Sequence, residues 1–370
     1  MALTVEMNNV VEGLTHRAFY ENFFPKLKHI NGKGVAENFL VTTDPTSCNT
    51  ISVPRILPIK PHYRTLGSSN NGGWKNTKNY NGGSEIESTA YDITLNHVFD
   101  ETTHLAYNLV SSNNGLDFKQ AITSVISDSF ASTLNMFTWA SQIYAFFRDN
   151  SSISDSVFTY DGTSVSASQA FLNANASLAN GDISIGALAI PSDKCQAFVT
   201  TSLNSAIKSQ YSTNASDLAT MINATGFINP FTQTSGTRVS AETGLCGLYD
   251  GVVMTLITTG EWGYVIEALG ATGTAATLLG YVQGFIVYAG GTIRGCAGLD
   301  IQVGDDPDQY KSLVIKPYAK FGVGVLSGKT IKLITNKALT NDNLATIKAG
   351  ISIADGISSV GDGTNYAKRA

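Results

Sequence analysis

Charge is what this chain has least of. Its 24 Lys/Arg and 29 Asp/Glu make up only 14% of 370 residues, against about 25% in an ordinary soluble domain. Gly, Ser, Thr, Asn and Ala take up the difference. Surface charge keeps monomers apart in solution, so a surface this poor in charge suits burial between copies, or a β-rich protein with a Ser/Thr/Asn exterior. Basic clusters are missing as well. The densest basic pair in the tail is Lys368-Arg369 and the net charge is -5, whereas a sequence-specific nucleic-acid binder needs a basic stripe.

Cysteine is sparse and unpatterned. Cys48, Cys195, Cys246 and Cys296 are far apart and none lies in a CxxC or CxH spacing, which argues against a metal site and against a disulfide framework. The five histidines are His16, His29, His62, His97 and His104, and only the last two are near each other, without ligand spacing. No apolar run reaches the ~18 residues of a membrane span. The start, residues 1–7, has neither a basic stretch nor an apolar run, so no signal peptide is expected. The sequons at Asn150, Asn175, Asn214 and Asn223 reflect the abundance of Ser, Thr and Asn. No nucleophile elbow, Walker loop or dinucleotide fingerprint is present. The glycine cluster at 290–298 fits no phosphate-binding spacing and reads as a turn-rich loop. Glu85 and Glu87 share one side of a strand and read as a solvated face. The expectation is a protein that is not an enzyme, with no catalytic residue, cofactor or metal.

What the chain does have is an extended segment followed by one long amphipathic helix. Residues 1–50 read as an arm, with a short amphipathic helix over 8–27 and an extended path after the break at 31–34. Pro54, Pro58 and Pro61 confine the next segment to an edge or an isolated ribbon. On the return side, alternation over 90–99 puts Tyr91, Ile93, Leu95 and His97 on one face of a strand. Between them lies a tip that includes Asn70, Asn71, Gly72, Gly73, Trp74, Lys75, Lys78 and Tyr80. It is too polar to bury enough apolar surface to hold itself in place, so the hairpin of 51–100 needs another surface to lie on. In a self-assembling protein that surface is a neighbouring subunit. A lysine desolvated beside a neighbour's asparagine, with a buried carboxylate, is the chemistry of an isopeptide bond, and Lys75 and Lys78 are candidates; solvated lysines are the simpler expectation.

The helix is expected over 117–147. Its apolar face is Phe118, Ile122, Val125, Ile126, Phe130, Leu134, Phe137, Ala140, Ile143, Tyr144 and Phe147, with Ser124, Ser127, Asp128, Ser132 and Gln142 elsewhere. That is about eight turns, or roughly 45 Å. A second helix over 166–180, a buried strand over 183–190 and a helix opened by Pro191 and running through Cys195, Phe198, Val199 and Leu203 predict an α/β lobe. Residues 209–243 read as irregular apart from a short helix at 217–224. The glycines of 244–251 allow a sharp turn into a strand at 252–257. Residues 281–288 are a buried strand or helix, 305–307 a turn, 313–317 and 329–334 closing strands, and 343–354 a weak amphipathic segment.

In this order of parts the chain resembles the major capsid protein of tailed double-stranded DNA bacteriophages, the Hong-Kong-ninety-seven-type shell fold. The resemblance implies an α+β fold: an N-terminal arm (1–50), an extended β-hairpin loop (51–100) and a peripheral domain with the spine helix (101–150). An α/β axial domain (151–312), return strands of the peripheral domain (313–336) and a tail (337–370) complete it. It implies a subunit that assembles with itself into hexamers and pentamers of an icosahedral head. The head encloses double-stranded DNA without sequence-specific binding or a membrane, and the subunit is found in the virion after assembly in the host cytoplasm. The family's partners are a scaffolding protein, a portal and decoration proteins. No long charged helical segment precedes the arm, so a separate scaffold, or none, is expected. Two alternatives remain open at the level of sequence: an encapsulin-like nanocompartment shell with the same fold, and a β-rich adhesin or glycan-binding surface protein, against which the long helix argues.

Overall fold

The computed structural model describes residues 39–42, 50–56, 88–95, 97–99, 103–106, 115–181, 189–209, 245–305, 312–325 and 327–353. The expected helices at 8–27 and 217–224, the hairpin tip, most of the strand at 183–190 and the turn at 306–307 lie outside these residues, as does the end of the tail.

The first strands are β1 (Phe39–Thr42), β2 (Thr50–Ile56), β3 (Ser88–Thr94), β4 (His97–Phe99) and β5 (Thr103–Ala106). The helix α1 then runs over Gly115–Asp149, 35 residues or about 52 Å, slightly longer at both ends than its sequence pattern. β6 (Val157–Thr159), α2 (Ala167–Asn180), β7 (Cys195–Thr200), α3 (Thr201–Ser209), β8 (Leu245–Tyr249) and β9 (Val252–Ile257) follow. The remainder is α4 (Thr259–Ala268), α5 (Gly273–Leu279), β10 (Val282–Tyr288), β11 (Thr292–Asp305), β12 (Ser312–Val325), β13 (Ile331–Thr335) and α6 (Asn341–Gly350).

These strands form three sheets. One has the order β1-β11-β12-β4, with β5 also on β12; it is built on the long antiparallel β11–β12 hairpin. The second has the order β6-β13-β10-β7-β9-β8. The third, among the described residues, is the two-stranded ribbon β2–β3. The six-stranded sheet is covered on both faces. On one face α4, α5, α6 and the second half of α1 pack Trp139, Phe147, Trp262, Leu279, Phe285 and Leu333 together; on the other, α2 and α3 pack Phe171, Leu203, Met254 and Ile286. The first half of α1 covers one face of the five-stranded sheet through Ile126, Phe130 and Leu134 against Phe99, Cys296 and Phe321. The molecule therefore has two lobes with α1 shared between them.

Local chemistry sets the element ends. Ser166 caps α2 by accepting from the Gln169 N–H at 3.2 Å. Thr258 and Glu261 form a capping box at α4, and Thr340 and Asn343 do the same at α6. Asp250 and Gly251, with φ of 50° and 77°, make the two-residue turn between β8 and β9, whose positive φ at both positions matches strand twist.

The structure corrects several expectations. The segment after Pro191 is a short 3-10 turn and then a strand, β7, with helix only from Thr201. Cys195–Thr200 is buried at every position between β10 and β9, and a segment with no polar side suits a central strand. The glycine cluster at 290–298 is not a loop: after the turn at Ala289–Gly291 it enters β11. Pairing with β12, in which Gly295 faces Gly322, overrides the poor strand propensity of glycine. The expected strand over 90–99 breaks after Thr94; its first part stays in the ribbon and its second, β4, joins β12. The boundary expected at 312–313 falls inside the β11–β12 hairpin, so the strands on both sides of it share one sheet. β13 pairs with β10 and β6 in the six-stranded sheet.

An acid-sensitive turn closes the connection between β6 and α2. The Asp161 carboxylate accepts from the Ser164 hydroxyl and from the N–H groups of Val165 at 3.0 Å, Thr163 at 2.8 Å and Ser164 at 2.7 Å. These bonds, the Ser164 hydroxyl first, hold its pKa well below the usual carboxylate range. A depressed folded pKa means that the stabilisation is complete above the unfolded value and is lost as pH falls through the folded one. Thermal melts of the parent and Asp161→Asn are therefore expected to differ by a constant amount at neutral pH and to converge only below the usual carboxylate range. A gap that closes already between pH 7 and 5 would contradict this origin of the stabilisation.

Candidate functional site

No cluster of three or more His, Cys, Asp or Glu side chains is placed to hold a metal among the described residues. No described helix is long and apolar enough to cross a membrane. The features that invite interaction are surfaces.

The first is the ribbon. β2 and β3 pair in register from Thr50↔Thr94 to Ile56↔Ser88, and β3 touches β12. Pro54 sits opposite Ala90, which a strand with an open edge accommodates. A two-stranded ribbon is marginal in water unless something packs against it. The tip residues Asn70, Asn71, Gly72, Gly73, Trp74, Lys75, Lys78 and Tyr80 lie outside the described residues.

The second is α1. Phe130 and Leu134 are fully buried, and Phe137 is half-buried against the same core. The aromatic rings make a ladder: Phe99 to Phe130 at 4.9 Å, Phe130 to Phe321 at 6.0 Å and Phe137 to Phe321 at 5.4 Å. Tyr144 packs from the edge of the other lobe's core. The side chains of Phe118 and Ile122 lie outside the described residues. Val125 does not belong to the buried face: it is 66% exposed, and Ile126 at 3% takes the position beneath the helix. At 100° per residue the row through Ile126, Phe130 and Leu134 faces the sheet, and Val125 is turned away from it. Val98 on β4 and Tyr264 on α4 are also exposed apolar side chains, at 47% and 59%.

The expectation that Gln142 lies off the buried face is likewise corrected. It is buried and its Nε2 donates to the Thr292 hydroxyl at 2.9 Å. From Trp139 onward α1 is enclosed by the core of the six-stranded lobe, with Thr292 at the start of β11 over Gln142, and no polar face is needed. Trp139 and Phe146, both fully buried, are absent from the expected stripe for the same reason. The apolar density of 139–147 is the available signal: a helix apolar all round is buried all round.

The third feature is the joint at the end of α1. Here the chain passes from β12 to β13 through the turn Gly328–Thr330. The Gly328 N–H donates to Asp149 Oδ2 at 2.7 Å, while Asn150 Nδ2 donates to the carbonyls of Phe146 at 2.9 Å and Gly328 at 3.2 Å. Arg148 holds the other side of the Asp149 carboxylate through Nε at 2.6 Å. A polar cleft of about 760 Å³ opens beside this joint, lined by Asp149, Asp155, Asn173, Phe158, Lys329 and Lys332 among others. Asp149 and Asn150 are committed to the joint, and no chemistry is assigned to the cleft.

Cys195 and Cys296 are free and buried. Burial pushes both thiols up to about 12, with the Asp193 charge adding to the effect at Cys195. His97 and His104 occupy strands that flank β12 at different points, paired with Phe321 and Val314. Asn150 and Asn175 are buried, which removes two of the sequons as glycan acceptors.

No protein-family model matches the chain, and no curated protein matches its sequence. Solved structures do align with it. The mature capsid of bacteriophage PhiM1 covers 82% of this chain and 86% of its own, at 12% identity and a TM-score of 0.44. The capsid of the cyanophage P-SCSP1u covers 81% and 87%, at 12% identity and a TM-score of 0.46. The virus-like particle from Pyrococcus furiosus covers 89% and 99%, at 8% identity and a TM-score of 0.43.

Proposed function

We propose that the chain is a shell subunit: a structural protein that assembles with itself into hexamers and pentamers tiling an icosahedral head around packaged double-stranded DNA. The observation that carries this reading is the β2–β3 ribbon, which among the described residues forms a sheet of its own and needs a surface to complete it. A neighbouring copy supplies that surface. The low charge of the exterior fits many weak contacts acting together, and the net charge of -5 suits a container that does not bind its polyanionic cargo to the wall. Rings form through heterologous contacts that close. A separate scaffold, a portal and decoration proteins belong to this proposal as its partners, and the host cytoplasm as the place of assembly.

Negative-stain electron microscopy and sedimentation of the purified chain test the proposal, with co-expressed scaffold where one is encoded nearby. The expected result is closed shells or capsomer rings. Monomers only, at high concentration and with scaffold supplied, would overturn it.

A further inference from the structure

Two apolar cores meet along α1, and a buried polar seam separates them. Asn135, Thr138, Ser141 and Gln142 are buried near the middle of the helix. At the start of β11 are Thr292, bonded to Gln142, and, two residues on, the fully enclosed Arg294. The Gln142 Oε1 atom has no hydrogen-bond partner among the described residues. The aromatic ladders stop on either side of the seam: Phe137 belongs to one, and Trp139, 5.8 Å from Phe198, to the other.

The two lobes are unequally built. The six-stranded sheet is packed on both faces. The five-stranded sheet is packed through a smaller cluster on one face by half of one helix; on its other face Ile293, Ala297 and Val314 are buried while Val98 and Lys316 are exposed. Among the described residues the chain passes between the lobes only along α1 and through the short turns at Ala289–Gly291 and Gly328–Thr330. The last of these is clamped to the end of α1 by Asp149 and Asn150. Cooperative units within a protein open separately where apolar contacts between them are few.

We propose that the lobe built on β11 and β12 opens as a separate unit in the unassembled chain, and that assembly closes it. The second half rests on the shell-subunit reading; the first does not. Opening leaves the six-stranded lobe intact, with the clamp holding the second half of α1 in place. Closure follows when a neighbouring copy covers the exposed part of that face, around Val98 and Lys316, since a contact that favours one state shifts the population by its differential affinity. The free subunit then resists premature association, because its docking lobe is fully formed only part of the time.

The two buried thiols report the two lobes: Cys296 lies in the core of the smaller lobe and Cys195 in the larger. In a Cys48→Ser, Cys246→Ser background, pulses of maleimide on the dilute unassembled chain, read by peptide mass spectrometry, measure each opening. Cys296 is expected to label roughly tenfold or more faster than Cys195. Phe321→Leu is expected to accelerate Cys296 about fivefold or more and to leave Cys195 unchanged, since it destabilises one unit only. In assembled particles the Cys296 rate is expected to fall to that of Cys195. Equal rates for the two thiols, both raised alike by Phe321→Leu, would show a single cooperative unit and overturn the proposal. Hydrogen exchange of β11 and β12 against β7 and β10 in the parent gives the same comparison without a variant. Fast Cys296 in the free chain that stays equally fast in particles would overturn closure by assembly. A chain that never assembles leaves the first comparison standing, so failure of the shell reading is told apart from failure of the opening.

Discussion

Gly328→Ala is expected to destabilise the chain by about 3 kcal/mol, near the upper end of overpacking effects. A Cβ built on Gly328 lands inside contact distance of the Ala145 carbonyl and the Phe146 nitrogen, both backbone atoms of α1. A flexible side chain could swing away, but helix backbone cannot move without breaking its own hydrogen bonds. The turn cannot retreat either, because Asp149 and Asn150 bind its N–H and carbonyl. The variant must therefore give up either the clamp or the last turn of the helix, and both strands that meet there lose their anchor. Gly263→Ala is the control. Gly263 is exposed in α4 with nothing within 4 Å of the added carbon, so alanine there is expected to stabilise by up to ~1 kcal/mol. Denaturant unfolding of the two variants should move in opposite directions. A Gly328→Ala midpoint equal to the parent's would mean that the joint is not tightly packed.

How much of this is legible in the sequence depends on how local the signal is. α1 is readable because thirty-odd residues of 3.6-residue periodicity cannot be mistaken for a strand, and α2 because Ser166 and Gly181 mark its ends. β7 reads as helix because a short apolar run has no period of its own, and its neighbours β9 and β10 lie far away in sequence. β11 reads as loop because its glycines are weak strand formers and the pairing that decides the matter comes from β12. α4 escapes the sequence pattern even though Thr258 and Glu261 spell a capping box at the right spacing. On α1 the error at Val125 is one position of helical phase. Gln142 is misplaced because sequence shows that a residue is polar but not that a second lobe covers it. The joint at Gly328 leaves no trace that reading could follow, since a lone glycine between strands looks like any turn.

The ribbon carries the second large effect. Ile56 and Ser88 face each other at the end of the described ladder, so an Asn-Gly turn joining them replaces residues 57–87 with the chemistry that two paired strands accept. The core residues named for both lobes all lie within 99–353. Folding of the shortened chain should therefore survive, with the parent's circular dichroism and a cooperative melt. Its association should not. If the removed segment is what lies across the neighbour, its loss takes away a contact repeated at every subunit of the shell, and weak contacts repeated many times fail together.

Sedimentation velocity of the parent and this shortened chain, under one set of assembly conditions, tests that point most directly. Fast-sedimenting particles are expected from the parent, and a folded species of monomer size from the variant. Complete particles from the shortened chain would contradict a shell held together by its ribbons.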